Sequence, residues 1–190
     1  MSILYGCKLM KITQLDEETG LPPELDPVTA IFETPQQANM AAEFSEGQRQ
    51  ELRGGDRLLA VIEDDPNLVG WNLTFVDAQM GGEALTIIAG GEWDEVEEEY
   101  LAPMIGEKRK PFKAELYVAR YAEGTQDAGD LIGYRKWTLN YVKGRIPDQN
   151  AQDRNFLVPQ FTLNCKQNNK AGLRIFSFKD VGVEDLPEVS

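Results

Sequence analysis

The sequence predicts a mainly β protein of antiparallel strands with one short helix and several long loops. Three observations predict it: repeated alternation of apolar and polar residues, turn residues spaced between the alternating runs, and one stretch of helix formers closed by two glycines. Successive side chains of a strand point to opposite faces, so alternation of period two is the trace of a half-buried strand.

The clearest strand lies within 68–76, where Val69, Trp71, Leu73 and Phe75 alternate with Gly70, Asn72 and Thr74. Phe112, Ala114, Leu116 and Val118 alternate with Lys113, Glu115, Tyr117 and Ala119 in the same way. Trp137, Leu139 and Tyr141 oppose Lys136, Thr138 and Asn140, and Phe161, Leu163 and Cys165 oppose Gln160, Thr162 and Asn164. Each of these four is expected to have one wet side. Shorter strands are expected over 5–13, 28–33, 58–63 and 173–179, and Asp64-Asp65-Pro66-Asn67 is expected to be a tight turn folding 58–63 back on 68–76. The helix is expected over Gly82–Ala89, with Gly90-Gly91 at its C-terminal end, although Thr86-Ile87-Ile88 would also suit a strand.

The expected organisation is one β domain over 1–180 followed by an acidic tail, 181–190; a chain of 190 residues buries one substantial core. Long loops are expected over 16–26, 92–107, 123–130 and 147–155. In a protein built to assemble they would be arms, the first two mobile in the isolated subunit and ordered in the polymer.

Composition removes most enzyme classes. There is no histidine, which takes away the commonest general base, metal ligand and triad partner. The two cysteines, Cys7 and Cys165, form no CxxC pair and read as reduced, small apolar side chains. The acidic run Glu92–Glu99 lacks calcium-loop spacing and reads as a solvated charged loop. Arg53-Gly54-Gly55-Asp56-Arg57 has no phosphate-loop signature and reads as a turn or bulge. No GxSxG elbow is present. The expectation is a non-enzyme with no catalytic, cofactor or metal site. The N-terminus lacks a signal-peptide pattern and no apolar run approaches membrane-spanning length, so synthesis in a cytoplasm is expected.

The net charge of −13 disfavours binding to nucleic acid by phosphate neutralisation. It is unevenly placed: residues 1–100 hold 5 Lys and Arg against 21 Asp and Glu, and residues 101–190 hold 14 against 11. Two such halves could pair head to tail between copies, or the acidic loops could serve solubility alone.

The order of these segments resembles the phage major tail protein family, the tube subunits of siphovirus-type tails. The stretch 33–56 carries the resemblance: Thr34-Pro35, then Glu46-Gly47-Gln48 and Glu51-Leu52-Arg53-Gly54-Gly55-Asp56. Leu68-Val69-Gly70-Trp71-Asn72-Leu73-Thr74-Phe75 and the helix ending in Gly90-Gly91 are also similar to the family's pattern, as is the strand order from Pro111-Phe112 to 161–166. The resemblance implies a β-sandwich or orthogonal β-barrel flanked by a helix, forming hexameric rings that stack into a tube through which DNA passes without specific binding. It implies partners in further copies of the chain and in tape-measure, initiator and terminator proteins, a location in the virion tail after synthesis in the bacterial host cytoplasm, and no catalytic residues. Tube proteins of contractile systems (myovirus tails, tailocins, type VI secretion) are similar at this level, and a ligand-binding β-sandwich accessory is a further alternative.

Within that reading the polar stretch 42–52 is expected to be one strand wet on both sides, one side against a neighbour and the other against a water-filled channel. Glu43 and Glu46 are accordingly the candidate lumen-lining carboxylates, an acidic surface that repels DNA phosphates.

Overall fold

The computed structural model describes residues 2–47, 49–79, 81–123, 130–147 and 158–187. Most of the loops expected over 123–130 and 147–155 lie outside the described residues. The elements run β1 (Ser2–Gln14), β2 (Thr29–Phe32), β3 (Pro35–Phe44), β4 (Arg49–Gly54), β5 (Arg57–Glu63), β6 (Leu68–Asp77), α1 (Gly82–Ala89), β7 (Glu92–Asp94), β8 (Glu99–Leu101), β9 (Phe112–Ala122), β10 (Leu131–Lys143), β11 (Gln160–Cys165) and β12 (Phe176–Val181).

The expected mainly β, antiparallel class is what the chain adopts. One large sheet has the order β2-β1-β9-β10-β11-β6-β3, with β12 attached to β10. Because β10 spans 13 residues, it carries β12 along 134–139 and β11 at Val142 and Lys143. The sheet thus forks at β10. The end strands β2 and β3 are not paired with each other, so the ladder does not close into a barrel among the described residues.

Inward-facing residues of these strands share one core: Met10 and Ile12, Phe32, Leu73 and Phe75, Phe112 and Leu116, Leu139 and Val142, Phe161 and Leu163. Phe32, Phe75 and Phe161 meet at ring-centroid distances of 5.2 to 6.3 Å. Each fully buried side chain of this size contributes roughly 1.5–3 kcal/mol. Helix α1 covers part of this core with Ala84, Leu85, Ile87, Ile88 and Ala89. That burial decides the fate of Thr86-Ile87-Ile88, whose β-branching alone would favour a strand. Gly90, at φ +83°, ends the helix and returns its N–H to the Thr86 carbonyl. Gly144 lets β10 run close beneath the helix, since a Cβ there would sit 2.3 Å from Ile88 Cγ2.

Four expectations are corrected. First, β9 has no wet side over its central residues: Glu115, Tyr117 and Ala119 are buried as well as the core-facing set. Tyr117, Ala119, Leu9 and Tyr134 form a second cluster, against which Val181 and Leu186 pack. The charged residue that made this face look wet, Glu115, is ion-paired to Lys113 at 2.9 Å and Lys136 at 3.0 Å. Leu186 places part of the C-terminal segment against the domain, and Asp185 accepts the Gly182 N–H at 3.0 Å.

Second, 58–63 does not fold back on 68–76. Strand β5 pairs with β4, and β6 pairs with β3 and β11. The reversal occurs at Gly55-Asp56, with Gly55 at φ +65°, so the Arg53–Arg57 segment is the turn it was expected to be. Residues 64–67 run instead beside 45–47, where Ser45 N–H donates to the Asn67 carbonyl (2.8 Å) and Asn67 N–H donates to Ser45 Oγ (3.2 Å). Third, the polar stretch 42–52 is therefore two strands, β3 and β4, interrupted after Phe44. Pro66 lacks an N–H to continue the ladder, and Gly47 crosses so near Asp64 that a Cβ would lie within bonding range of its carbonyl oxygen.

Fourth, 16–26 and 92–107 are not free arms. Asp16 Oδ1 accepts the Glu18 and Thr19 N–H groups, and buried Asn168 donates Nδ2 to the Gly20 carbonyl at 2.6 Å. The acidic run is a hairpin, β7–β8, whose turn is closed by Asp94 Oδ1 accepting from Val96 and Glu97 N–H. Trp93 lies against Gly82 and the Tyr100 hydroxyl donates to the Gly90 carbonyl at 2.6 Å, fastening the hairpin to α1.

Candidate functional site

The surface that stands apart is the β4–β5 hairpin. It forms a two-stranded sheet of its own, joined to the main sheet through the 45–47 and 64–67 linkers and not by ladder hydrogen bonds. Together, β3–β4 and β5–β6 make one long ribbon with its root in the sheet and its tip at Gly55-Asp56.

Register defines the faces of the tip. Gln50 pairs with Ile62 and Leu52 with Ala60, so Leu52 and Ile62 share one face; Glu51 pairs with Val61, which shares the other face with Leu59. Leu52, Leu59 and Ile62 are 61%, 58% and 65% exposed, and Val61 is exposed too. Apolar side chains thus stand in water on both faces of a two-stranded ribbon. Such a ribbon is marginal alone and gains stability only by laying a face on another surface.

Beside its root lies an unpaired sheet edge. Strand β3 ends the strand order and presents ten residues of backbone, in contrast to the four of β2 at the other end. A long open edge is a template for pairing with another chain. Glu43 and Glu46 both sit here, exposed: Glu43 near the end of β3, paired with Gly70, and Glu46 in the linker between β3 and β4. They do not lie on one strand, because β3 stops after Phe44.

Burial pushes the Cys165 thiol up to about 12, and burial together with the Asp77 charge does the same to Cys7, so neither supplies a thiolate near neutrality. Asp77, buried at the end of β6, accepts the Thr34 hydroxyl and the Gln79 N–H, both at 2.8 Å, and so ties the β2–β3 connection to β6. No cluster of three or more metal-ligating side chains occurs among the described residues. No helix among them is long and apolar enough to cross a membrane.

Alternation turns Trp71 and Trp137 into the apolar faces of their strands. Both are half-buried at the rim of the main core and both contact Phe176, at 5.4 and 6.4 Å, with exposed Phe178 beside it under the Arg135 guanidinium.

No protein-family model matches the chain. No curated protein matches it either. Among solved structures, it is similar to a chain of the six-fold symmetrised cryo-EM structure of the anti-feeding prophage baseplate. That similarity has a TM-score of 0.41 and 14% identity, and covers 97% of this chain and 99% of the other. At this TM-score the likeness carries no weight, and the functional reading rests on the hairpin and the β3 edge.

Proposed function

We propose that the protein is a structural subunit of a phage-type tail, one that assembles with further copies of itself into rings stacked as a tube. The observation that carries the reading is the β4–β5 hairpin, with exposed apolar side chains on both faces and, among the described residues, no strand pairing outside itself. A neighbouring copy can bury it and complete the β3 edge beside it, and a contact between two different surfaces repeats from copy to copy, closing into rings or extending into filaments. The family resemblance of 33–56, which covers the β3–β4 arm of this ribbon and its tip, points the same way.

In the finer reading the rings are hexameric, the tube conducts DNA, and Glu43 and Glu46 face the channel as carboxylates that phosphates do not adhere to. Their exposure at the ribbon root is compatible with that position. The partners are then tape-measure, initiator and terminator proteins, and the site of action is the virion tail. The tube of a contractile injection system would use the same surfaces, and co-purification with a sheath protein separates the two.

Negative-stain microscopy of concentrated purified protein tests the proposal. Rings or tubes are expected; persistent monomers at every concentration would overturn it.

A further inference from the structure

One concavity in this acidic protein is cationic. Lys108 and Arg109, Lys143 at the end of β10 and Arg145 just beyond it, and Lys170 from the 167–173 turn line an open cleft of about 470 Å³, against two carboxylates, Glu17 and Glu107. Arg109 is held in place by donating Nη1 to the Gly144 carbonyl, and Lys170 by donating to the Glu17 carbonyl. Among the described residues, none of these five cations is in a salt bridge. Five cations against two lining carboxylates, with Asp16 also acting on Lys170, leave a local excess of positive charge in a chain whose net charge is −13.

We propose that this cleft receives the acidic tip of the β7–β8 hairpin of a second copy. The end of this hairpin presents Glu95, Glu97, Glu98 and Glu99, all exposed. Its turn is already closed by Asp94, so little conformational freedom is lost when it docks. Among the described residues, tip and cleft share no ion pair within one chain, which leaves both available between chains. The contact joins two different surfaces, so it passes from copy to copy head to tail, and its charges steer and orient the encounter while the apolar β4–β5 hairpin supplies burial. This inference rests on the self-assembly reading above and names the charged surfaces that direct it. Duplex DNA is the other polyanion a cationic cleft could take, and the acidity of the rest of the chain opposes it.

The test compares four full-length proteins by sedimentation velocity across a concentration series at low and high salt. These are the parent, a tip reversal (E95K, E97K, E98K), a cleft reversal (K108E, K143E, R145E), and the chain carrying both. Circular dichroism melts confirm folding, which exposed positions should leave intact. Each single reversal is expected to weaken self-association at low salt by about tenfold or more. The double reversal restores it to near the parent, and the differences shrink as salt shortens the screening length. If the parent assembles and both single reversals assemble equally well, or the double reversal rescues nothing, the tip-to-cleft contact is wrong while self-assembly stands. If the parent never associates, both readings fall. A gel-shift arm with labelled duplex DNA completes the test: binding that the cleft reversal abolishes and the tip reversal leaves unchanged would assign the cleft to nucleic acid and overturn the proposal.

Discussion

Asn168 shows how one side chain can hold a loop that its own sequence would leave loose. It is buried, donates to the Gly20 carbonyl and accepts the Ala171 N–H, and Gly20 must be glycine because it lies at φ +69° with Asn168 Oδ1 where a Cβ would go. Asn168→Ala leaves both backbone groups unmet, and is expected to cost roughly 1–3 kcal/mol in urea denaturation. Glu115 works through charge. Burial raises its pKa, but hydrogen bonds and charge from Lys113 and Lys136 outweigh that and hold it below the ordinary value of 4.5. A lowered folded pKa means that its stabilisation is complete above the unfolded value and is lost as pH falls through the folded one. Stability should therefore decline on acidification below about pH 4.5, and Glu115→Gln should flatten that part of the profile in thermal melts followed against pH. The half-buried thiol of Cys7 and the buried thiol of Cys165, with pKa values of about 12, should resist a disulfide reagent at pH 8 in the native protein and react once unfolded.

Among the elements, the β4–β5 hairpin should separate folding from assembly. Leu59→Asp with Ile62→Asp is expected to leave the melting temperature nearly unchanged, since neither side chain supports the core, and to abolish rings or tubes in the microscope. The strands of the main sheet and helix α1 were legible in the sequence because period-two runs and a helix-to-glycine transition are local signals, and local signals place elements. Pairing was less legible. Asp64-Asp65-Pro66-Asn67 looks like a reversal and is a linker, because the real reversal at Gly55-Asp56 brings β5 onto β4 first. The burial of both sides of β9 could not be read from its alternation either, since Lys113 and Glu115 mark a wet face until Lys136 and Leu186 arrive from distant sequence. The candidate surface is legible only in part: alternation puts Glu43 and Glu46 on a polar stretch, whereas the exposure of Leu52, Leu59 and Ile62 at the hairpin tip depends on what packs there. The available signal was the apolar run from Leu58 to Ile62 beside a glycine turn.

For the whole molecule, acidity sets the relation to DNA. At physiological salt the parent should not retard duplex DNA in a gel shift, and if Glu43 and Glu46 line a channel, replacing both with Lys should still permit tubes while slowing genome passage in a salt-sensitive way. The ribbon that begins in the sheet and ends at Gly55-Asp56 is joined at its middle through Ser45 and Asn67, by three hydrogen bonds near the surface. Such a joint fixes the tip's direction weakly, so a lone subunit samples many directions and the first neighbour to seize the tip must also freeze it. Every later subunit meets an arm already aimed by its predecessor. Growth on an existing end should therefore outrun the founding of new ends, giving a lag that added seeds abolish, and few long polymers in place of many short ones.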